Sequence, residues 1–470
     1  MSLARRHGRK VLLDIDYRPN LWGIGGHDTG ENRYARSSRV TAALAPVLPC
    51  CDLIVGTEEE MHVAAGCEET LEAVRRVRAV SSAVIVLKRG ARGCVVFAGP
   101  IPARLEEALV VPGLDIEVYN VLGAGDAFLA GFLLGYLRDE PHETSARFAN
   151  ACGAIAVSRL LCSPEFASRA ELDHLLAHGS AHRALRADAQ LCHLHWATTR
   201  ARRPATLFAL AVPPGTSVEG PARRALLAVA AVAQVAAGRE GFGVRLDAAS
   251  PAAALHQALG HGLWLARSAE QPFSRPLEFA DAASIATALT EWPAAVTVSC
   301  ECRYHPDDER WLREAQERNL TRLAAACRAQ RRELLIGISA RPAGEVRENT
   351  VADVLARLYE HGIKADWWTL EPQPGVSAWE SCARVIAAND PYCRGVLLTL
   401  DEAASAAPAL ASAATTPIVR GFIGGGSIVA SAAPSYEAAT QEIAERFRAL
   451  IAVWVGARDP RLDRPERSGQ

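Results

Sequence analysis

The sequence predicts an α/β protein with two parts: a strand–turn–helix unit suited to an anion, and a closed (β/α)8 barrel that follows it. The first observation is a glycine-rich turn at 123–126 that opens an apolar, helix-like run. The second is a regular alternation of short apolar runs and amphipathic stretches between 207 and 456. Eight such repeats over about 250 residues are what a (β/α)8 barrel requires, and a doubly wound sheet is the less favoured alternative.

Composition limits the classes of partner. The chain has 470 residues, 49% hydrophobic and 22% charged, which is typical of a globular protein with more than one domain. A net charge of -2 gives no electrostatic reason to expect nucleic acid or an anionic membrane as a partner. The basic start 1–10 lacks an apolar signal region, and 225–237 is too short to span a bilayer. We therefore expect a cytoplasmic protein with small-molecule partners; a homo-oligomer is compatible with the sequence.

The segment 120–131, NVLGAGDAFLAG, is the most informative part of the chain. Gly123, Ala124 and Gly125 are too small to block a phosphate that approaches the main chain, and the run 127–136 predicts a helix. A helix start presents unpaired N–H groups and the positive end of the dipole, which bind anions. Asp126, at the rim, could accept a proton from a hydroxyl that attacks a γ-phosphoryl group. An ordinary glycine-rich turn with an acidic cap is the alternative.

This run resembles the second signature of the ribokinase/PfkB family of sugar kinases. Other segments resemble further elements of that family in the same order: LDIDYRPNLW at 13–22, LIVGTEEE at 53–60, VIVLKRGARG at 84–93 and RFANACGA at 147–154. NVLGAGDAF, with Ser158, Arg159 and Cys162, is most similar to the branch that phosphorylates 2-deoxy-5-keto-gluconate in inositol breakdown. The resemblance implies a ribokinase-like open α/β sheet, with ATP and Mg²⁺ as cofactors.

The resemblance also implies roles for single residues. Asp126 would be the catalytic base, beside the anion hole at 123–125. Glu60 would help to organise Mg²⁺ and phosphate without binding the metal directly, and Thr57 stands where the family usually has asparagine. The other residues that the resemblance places near the nucleotide are Lys88, Gly90 and Asn150.

One part of the family pattern is not found. In these kinases the first half of the domain supplies the opening strands, the sugar-binding residues and a small β lid. This sequence reaches the 13–22 segment shortly after Met1, so residues 1–178 are expected to be only the nucleotide-binding half. A truncated gene model and a degraded copy are both open explanations. We expect weak MgATP binding but no sugar turnover by this chain alone, because positioning supplies most of the rate.

Cysteine and histidine spacing argues against a metal site. The 12 cysteines include no C-x-x-C pair, which favours free thiols in a reducing compartment. His174, His178 and His182 have helical spacing, but Gly179 interrupts that helix, and His193-x-His195 lies in a polar stretch. We interpret both groups as solvated linker residues. The predicted domains are a kinase part at 1–178, a linker at 179–203 with at most two helical turns, a barrel at 204–457 and a tail at 458–470.

The barrel elements follow from the alternation. The predicted strands are 207–212, 242–247, 262–267, 295–301, 333–339, 366–371, 395–400 and 418–423. The predicted helices are 221–237, 251–260, 281–291, 307–330, 349–361, 377–389, 402–413 and 436–456. Strings such as SRPLEF at 274–279, HPDD at 305–308, DWW at 366–368 and DPYCRGV at 390–396 resemble an uncharacterised class I aldolase-like domain fused behind such kinases.

The expected aldolase chemistry lacks its central group. A class I aldolase needs a lysine amine at the carboxyl ends of the strands to form a Schiff base. Relatives read D-W-W-K-L-E-P, whereas Thr369 replaces that lysine, and Lys364 precedes its strand. His305 is too isolated for a metal-dependent route. The run Gly424-Gly425-Gly426-Ser427 could cradle an anion through its backbone N–H groups. The residues that could still line a pocket mouth are Arg275, Arg303, Glu371, Arg394, Asp401 and Gly425.

Taken together, these patterns predict ATP-dependent phosphoryl transfer to a sugar-acid hydroxyl, with 5-dehydro-2-deoxygluconate as the substrate that the resemblance implies. The competing hypothesis is a non-catalytic remnant that binds nucleotide or a partner. A third, lyase activity of the barrel, is disfavoured mainly by Thr369.

Overall fold

The computed structural model describes residues 1–24, 37–200, 204–212, 220–279 and 284–458. The chain forms two compact units, residues 1–199 and 200–470. Residues 201–203 of the predicted linker and 459–470 of the predicted tail lie outside the described residues. Among the helices described, none combines the length and apolar character that crossing a bilayer demands.

The first unit contains an open five-stranded sheet in the order β1-β2-β3-β4-β5. The strands are β1 (Leu12–Asp14), β2 (Leu53–Thr57), β3 (Val84–Lys88), β4 (Cys94–Phe97) and β5 (Leu109–Val111). The first three are parallel, and β4 and β5 join in antiparallel pairings. The predicted ribokinase-like α/β sheet is confirmed.

Helices cover both faces of this sheet. The helices described in this unit are α1 (Ser2–Arg6), α2 (Ser38–Leu44), α3 (Glu58–Ala65), α4 (Thr70–Val80), α5 (Ala124–Tyr136), α6 (His142–Val157), α7 (Arg169–His178) and α8 (Ala189–Thr199). Along β2, Ile54 packs into one apolar cluster with residues of α3 and α4, whereas Leu53 and Val55 pack with α5 and α6. This alternation explains why β2 is apolar throughout, as expected for a parallel strand that is buried on both sides.

The stretch 189–199 corrects one sequence prediction, because it forms the 11-residue helix α8 instead of a solvated linker. Asp188 caps this helix: its Oδ1 accepts hydrogen bonds from the N–H groups of Gln190 (2.9 Å) and Leu191 (3.0 Å). His193 and His195 are buried, not solvated. The helix was missed because its buried positions mix leucine with histidine, so the segment shows no apolar stripe.

The second unit is a closed barrel of parallel strands, as predicted. The strands are β6 (Leu207–Ala211), β7 (Phe242–Leu246), β8 (Trp264–Ser268), β9 (Val296–Arg303), β10 (Leu334–Ser339), β11 (Trp367–Leu370), β12 (Gly395–Leu400) and β13 (Val419–Gly424). Pairing of β13 with β6 closes the ring. Each strand boundary lies within two residues of its predicted position.

The barrel helices lie between the strands and after the last one. They are α9 (Pro221–Ala236), α10 (Ala252–Gly260), α11 (Ile285–Thr290), α12 (Arg310–Ala329), α13 (Thr350–Glu360), α14 (Val376–Asn389), α15 (Ala403–Ala414) and α16 (Tyr436–Ala457). Their apolar stripes and the outward strand residues form one large core, which separates them from the barrel interior. Part of the predicted helix 281–291, residues 281–283, lies outside the described residues.

The amino-terminal end of the barrel interior is closed by a polar network around Glu333, which directly precedes β10. The indole N–H groups of Trp264 and Trp367 donate to its carboxylate (3.3 and 2.9 Å), and the Thr297 hydroxyl does so at 2.7 Å. Arg394 Nε lies 3.1 Å from Glu333 Oε1. A ligand of this barrel would therefore have to enter from the carboxyl ends of the strands.

Candidate functional site

The glycine-rich turn of the first unit leads directly into α5. The helix begins at Ala124, three residues earlier than predicted. Gly123 is its N-cap residue and adopts a left-handed backbone conformation (φ 77°). A Cβ on Gly123 would also lie 2.4 Å from Cys162 Sγ, so both backbone conformation and space require glycine here. Gly125 and Asp126 thus lie within the first helical turn, where N–H groups have no helical partner and the dipole favours anions.

Asp126 is exposed on this first turn. Its side chain faces solvent at the start of α5, where an incoming hydroxyl could reach it. Burial is the main cause that raises the pKa of Asp14 at the end of β1, and the negative charge of Asp126 adds a smaller contribution in the same direction. Asp126 and the end of β1 therefore belong to one electrostatic environment.

Beneath the turn lies a charged cluster of Asp14, Glu60 and Lys88. Lys88 Nζ lies 2.8 Å from Asp14 Oδ1 and 3.7 Å from Glu60 Oε2. The same Nζ lies 3.6 Å from the position that a Cβ on Gly125 would occupy. Burial raises the pKa of Asp14, and the charge of Lys88 opposes that rise. The predicted residues Lys88, Glu60 and Gly125 are therefore brought together.

Strand order explains this cluster. Asp14 ends β1, Thr57 ends β2 and Lys88 ends β3, and these strands are parallel neighbours. In open α/β sheets, ligands bind beyond the carboxyl ends of the strands. Asp14 lies within the 13–22 segment that resembles the kinase family, but the sequence did not predict it as a site residue. Its position, as an acidic residue that ends a short apolar strand, was the available signal.

Thr57 and Glu60 form the N-terminal cap of α3. Glu60 Oε2 accepts a hydrogen bond from the Thr57 N–H (2.7 Å), and Thr57 Oγ1 accepts one from the Glu60 N–H (3.2 Å). This capping box fixes the buried Glu60 carboxylate with Oε2 toward Lys88. The Thr57 N–H and Lys88 therefore both lie at Glu60 Oε2, and the role of Glu60 in organising Mg²⁺ and phosphate stays a prediction.

Gly90 and Asn150 differ in what they offer a nucleotide. Gly90 begins a short 3₁₀ turn directly after β3, with φ 57° and open space where a side chain would be. Asn150 is buried in α6, and its Nδ2 donates to the backbone oxygens of Val111 (3.1 Å) and Pro112 (2.9 Å). The Asn150 amide therefore fastens the end of β5, and its proximity to a nucleotide stays a prediction.

In the barrel, three of the predicted pocket residues follow the carboxyl ends of adjacent strands. Glu371 follows β11 and accepts hydrogen bonds from the N–H groups of Ala340 and Arg341, both at 3.0 Å. Burial raises the pKa of Glu371, although these bonds oppose the rise. Asp401 follows β12, and its Oδ1 lies 3.5 Å from the Cβ position of Gly425, which follows β13.

The predicted arginines are dispersed. Arg275 pairs with Asp308, and the guanidinium of Arg303 lies 4.9 Å from the ring centroid of Phe273. The prediction that Arg394 lines the pocket mouth was wrong: it directly precedes β12 and pairs with Glu333 at the amino-terminal end. Because all strands run in parallel, a residue before a strand lies opposite the mouth.

His305 is a structural residue in this barrel. It is buried, its Nε2 lies 3.0 Å from the carbonyl oxygen of Glu345, and its Nδ1 accepts a hydrogen bond from the Asp307 N–H (3.1 Å). Both ring nitrogens are therefore engaged by the backbone. This arrangement leaves no lone pair of His305 for a metal.

Inside the barrel, the structure reveals charged residues that the sequence analysis did not select. Arg245 of β7 and Glu301 of β9 pair across the interior, with Nη1 3.0 Å from Oε2. Glu270, just after β8, lies near both, and its burial raises its pKa to about 7. The signal in the sequence was a charged residue within an otherwise apolar strand, as in FGVRLD at 242–247.

Lys364 lies at the end of the barrel opposite the mouth, three residues before β11, and burial lowers its pKa. We expect borohydride to trap no adduct between this protein and a keto-sugar phosphate, because a strand's length, about 15–20 Å, separates that end from the opposite rim. Mass spectrometry of the reduced protein checks this, with Thr369→Lys as the comparison that introduces an interior amine. A substrate-sized mass gain mapped to Lys364 would contradict the expectation.

Two families match the chain. Residues 171–458 match the family described as "Uncharacterized protein conserved in bacteria (DUF2090)". Residues 31–167 match the pfkB family of carbohydrate kinases. The first match begins within α7, so it includes α7 from Glu171 onward, the whole of α8 and the barrel.

Curated relatives match over less than half of the chain. The chain is 26% identical over 182 residues to the 5-dehydro-2-deoxygluconokinase of Geobacillus kaustophilus, covering 37% of this chain and 49% of the relative. It is 25% identical over 181 residues to the Bacillus subtilis enzyme of the same name, covering 37% and 50%. The chain thus spans about half the length of the curated relatives it matches. Arabidopsis thaliana ribokinase, solved with ribose and ATP, matches with a TM-score of 0.28 at 22% identity, covering 37% of this chain and 50% of that one.

Proposed function

Since this chain belongs to the family of uncharacterized bacterial proteins DUF2090, with a pfkB-family carbohydrate kinase domain ahead of that match, we propose that it takes part in ATP-dependent phosphorylation of a sugar acid. The observation that carries the proposal is the α5 turn, where the exposed Asp126 stands beside an anion-binding helix start above Lys88 and Glu60. ATP and Mg²⁺ are the cofactors of this proposal, and a small sugar acid is the acceptor.

The proposed acceptor is 5-dehydro-2-deoxygluconate, an intermediate of inositol catabolism. Support comes from the name shared by curated relatives such as those of Geobacillus kaustophilus and Bacillus subtilis. The segment NVLGAGDAF at 120–128, which resembles that branch, forms the site described above. The barrel is proposed to lack Schiff-base chemistry, because Thr369 occupies the position of the expected lysine.

In the proposed mechanism MgATP supplies the phosphoryl group, and the protein supplies a proton acceptor and charge. The Asp126 carboxylate takes the proton of the attacking sugar hydroxyl as the new O–P bond forms. The N–H groups at the start of α5, together with Lys88, stabilise the negative charge on the phosphoryl oxygens. Glu60, held by the cap of α3 with its Oε2 3.7 Å from Lys88 Nζ, would help to organise Mg²⁺ and the phosphates.

Nucleotide binding tests the first step of this proposal. We expect saturable heat when MgATP is added to the full chain. The Gly125→Val variant should bind MgATP at least tenfold more weakly, a loss of about 1.4 kcal/mol in binding free energy. Gly125 has an ordinary backbone conformation, and its Cβ would contact only Lys88 Nζ at 3.6 Å, so the new side chain would block the phosphate without breaking the fold. Calorimetry measures both proteins.

The control is Gly99→Val, a change at a glycine between β4 and β5 that has an ordinary backbone conformation and no atom within 4 Å of its Cβ position. This variant should bind MgATP as the unmodified chain does. If the unmodified chain gives neither heat nor a thermal shift with millimolar MgATP, the competing hypothesis of a remnant that binds a partner is favoured.

A further inference from the structure

The interior of the barrel changes from apolar to polar toward its mouth. A buried cluster that includes Trp264, Leu335, Trp367 and Leu397 fills the lower interior. Successive side chains alternate between the two faces of a strand, so residues two and four positions further on also point inward. These positions hold small, hydroxyl or carboxylate side chains: Ala266, Ser268, Gly337, Ser339, Thr369, Glu371, Thr399 and Asp401.

Because Gly337 has no side chain, it leaves room for two side-chain oxygens in the polar part of the barrel interior. A Cβ there would lie 2.1 Å from Glu301 Oε2 and 2.5 Å from Thr369 Oγ1. Both oxygens therefore face the same space above Gly337, and any larger residue would exclude them. Glu301 is held in place by Arg245 Nη1 at 3.0 Å, so the carboxylate is fixed from the side of β7.

Two polar atoms at this level have no hydrogen-bond partner among the described residues. Thr369 is fully buried, and its Oγ1 is unsatisfied. Glu270 Oε2 is buried and also unsatisfied, and the charges of Arg245 and Glu301 act on the Glu270 carboxyl group. Leaving a buried polar atom unsatisfied is costly, and nearly all such atoms in proteins have a partner. The unsatisfied Thr369 hydroxyl thus indicates that a ligand binds in the space above Gly337, where it would contact both Thr369 and Glu301.

We propose that the carboxyl-terminal end of the barrel interior binds a small, uncharged polyhydroxylated molecule through Thr369, Glu301, Arg245 and Glu270. Hydroxyl groups both donate and accept hydrogen bonds, so one ligand can donate to Glu301 and accept from Arg245 and Thr369. Carboxylates outnumber arginines at this level. Glu270, Glu301, Glu371 and Asp401 lie against Arg245, Arg303 and Arg341, so a further carboxylate on the ligand fits poorly. This site is separate from the proposed kinase site of the first unit.

Thr369→Val tests the proposal, because valine has the shape of threonine without its hydroxyl. We expect D-glucitol and ribitol to bind the full chain with saturable heat and to bind Thr369→Val at least tenfold more weakly. The variant should melt at the same temperature as the unmodified chain or higher, since no hydrogen bond within the protein is lost. MgATP binding should be equal in both proteins, which separates this test from that of the kinase site.

Thr297→Val is the matched control, from the opposite end of the same interior. The Thr297 hydroxyl donates to Glu333 (2.7 Å), so its loss should lower the melting temperature and leave polyol binding unchanged. The proposal is overturned if neither polyol binds the unmodified chain, if Thr369→Val binds them equally, or if its melting temperature falls as in the control. Tighter binding of D-gluconate than of D-glucitol would overturn the assignment to an uncharged ligand.

Discussion

Replacing Asp126 with asparagine is expected to slow phosphoryl transfer by a factor of about 10²–10⁴, the usual contribution of a positioned general base. Asparagine keeps the shape of the side chain but cannot accept the proton of the attacking hydroxyl. MgATP binding should change little, because Asp126 is the proposed base and not a phosphate ligand. The fall should therefore appear in kcat and not in nucleotide affinity.

The assay for Asp126→Asn is release of ADP that depends on 5-dehydro-2-deoxygluconate. This chain spans about half the length of its curated relatives. The assay therefore contains, as a separate polypeptide, the part of the Bacillus subtilis enzyme that the chain does not match. Asp139→Asn is the control: the same change at an exposed aspartate just beyond the other end of α5. If Asp126→Asn turns over sugar as fast as Asp139→Asn, the assignment of the base is refuted.

Arg159→Met is expected to destabilise the first unit by about 3–5 kcal/mol, the usual cost of removing one partner from a buried ion pair. Arg159 and Glu171 are both buried and paired, and Glu171 Oε2 also lies 3.0 Å from His195 Nδ1. Burial by itself would raise the pKa of Glu171, but the bonds from His195 and Arg159 lower it. Without Arg159 the carboxylate would lose its main compensating charge while remaining buried.

Hydrogen exchange of peptides from 142–199 measures this effect, because faster exchange reports a lower free energy of opening. Arg169→Met is the control, since Arg169 forms an exposed i,i+4 pair with Asp173 on the same helix as Glu171. Exposed pairs contribute about 0–1 kcal/mol, so exchange should barely change. Equal exchange in the two variants would mean that the Arg159–Glu171 pair is not a main support of this unit.

The network around Arg159 also shows a limit of the sequence analysis. Arg159 and Cys162 were selected for their resemblance to a kinase branch, yet the Arg159 side chain packs against α7 and α8. His195 was taken for a solvated linker residue, whereas it lies buried beside Glu171. A polar residue looks the same in a sequence whether it faces water or a buried partner of opposite charge. Only the packing of α6, α7 and α8 distinguishes these cases.

The sequence by itself determined the barrel strands and the α5 turn. Alternation of apolar and amphipathic stretches is a local property, so the barrel strands lie within two residues of their predicted positions. The small residues at 123–125 likewise predict an anion-binding helix start from local sterics alone.

The tertiary structure decided which side chains meet. Arg245 and Glu301 are 56 positions apart, and they pair because β7 and β9 flank β8 in the closed ring and both side chains point into the barrel interior. The direction of β12 placed Arg394 at the amino-terminal end of the barrel, away from the carboxyl ends of the strands, where a ligand would enter. Register set Thr369 and Glu301 over Gly337. These contacts depend on chain closure and strand pairing, which act between distant residues and leave no periodic pattern in the sequence.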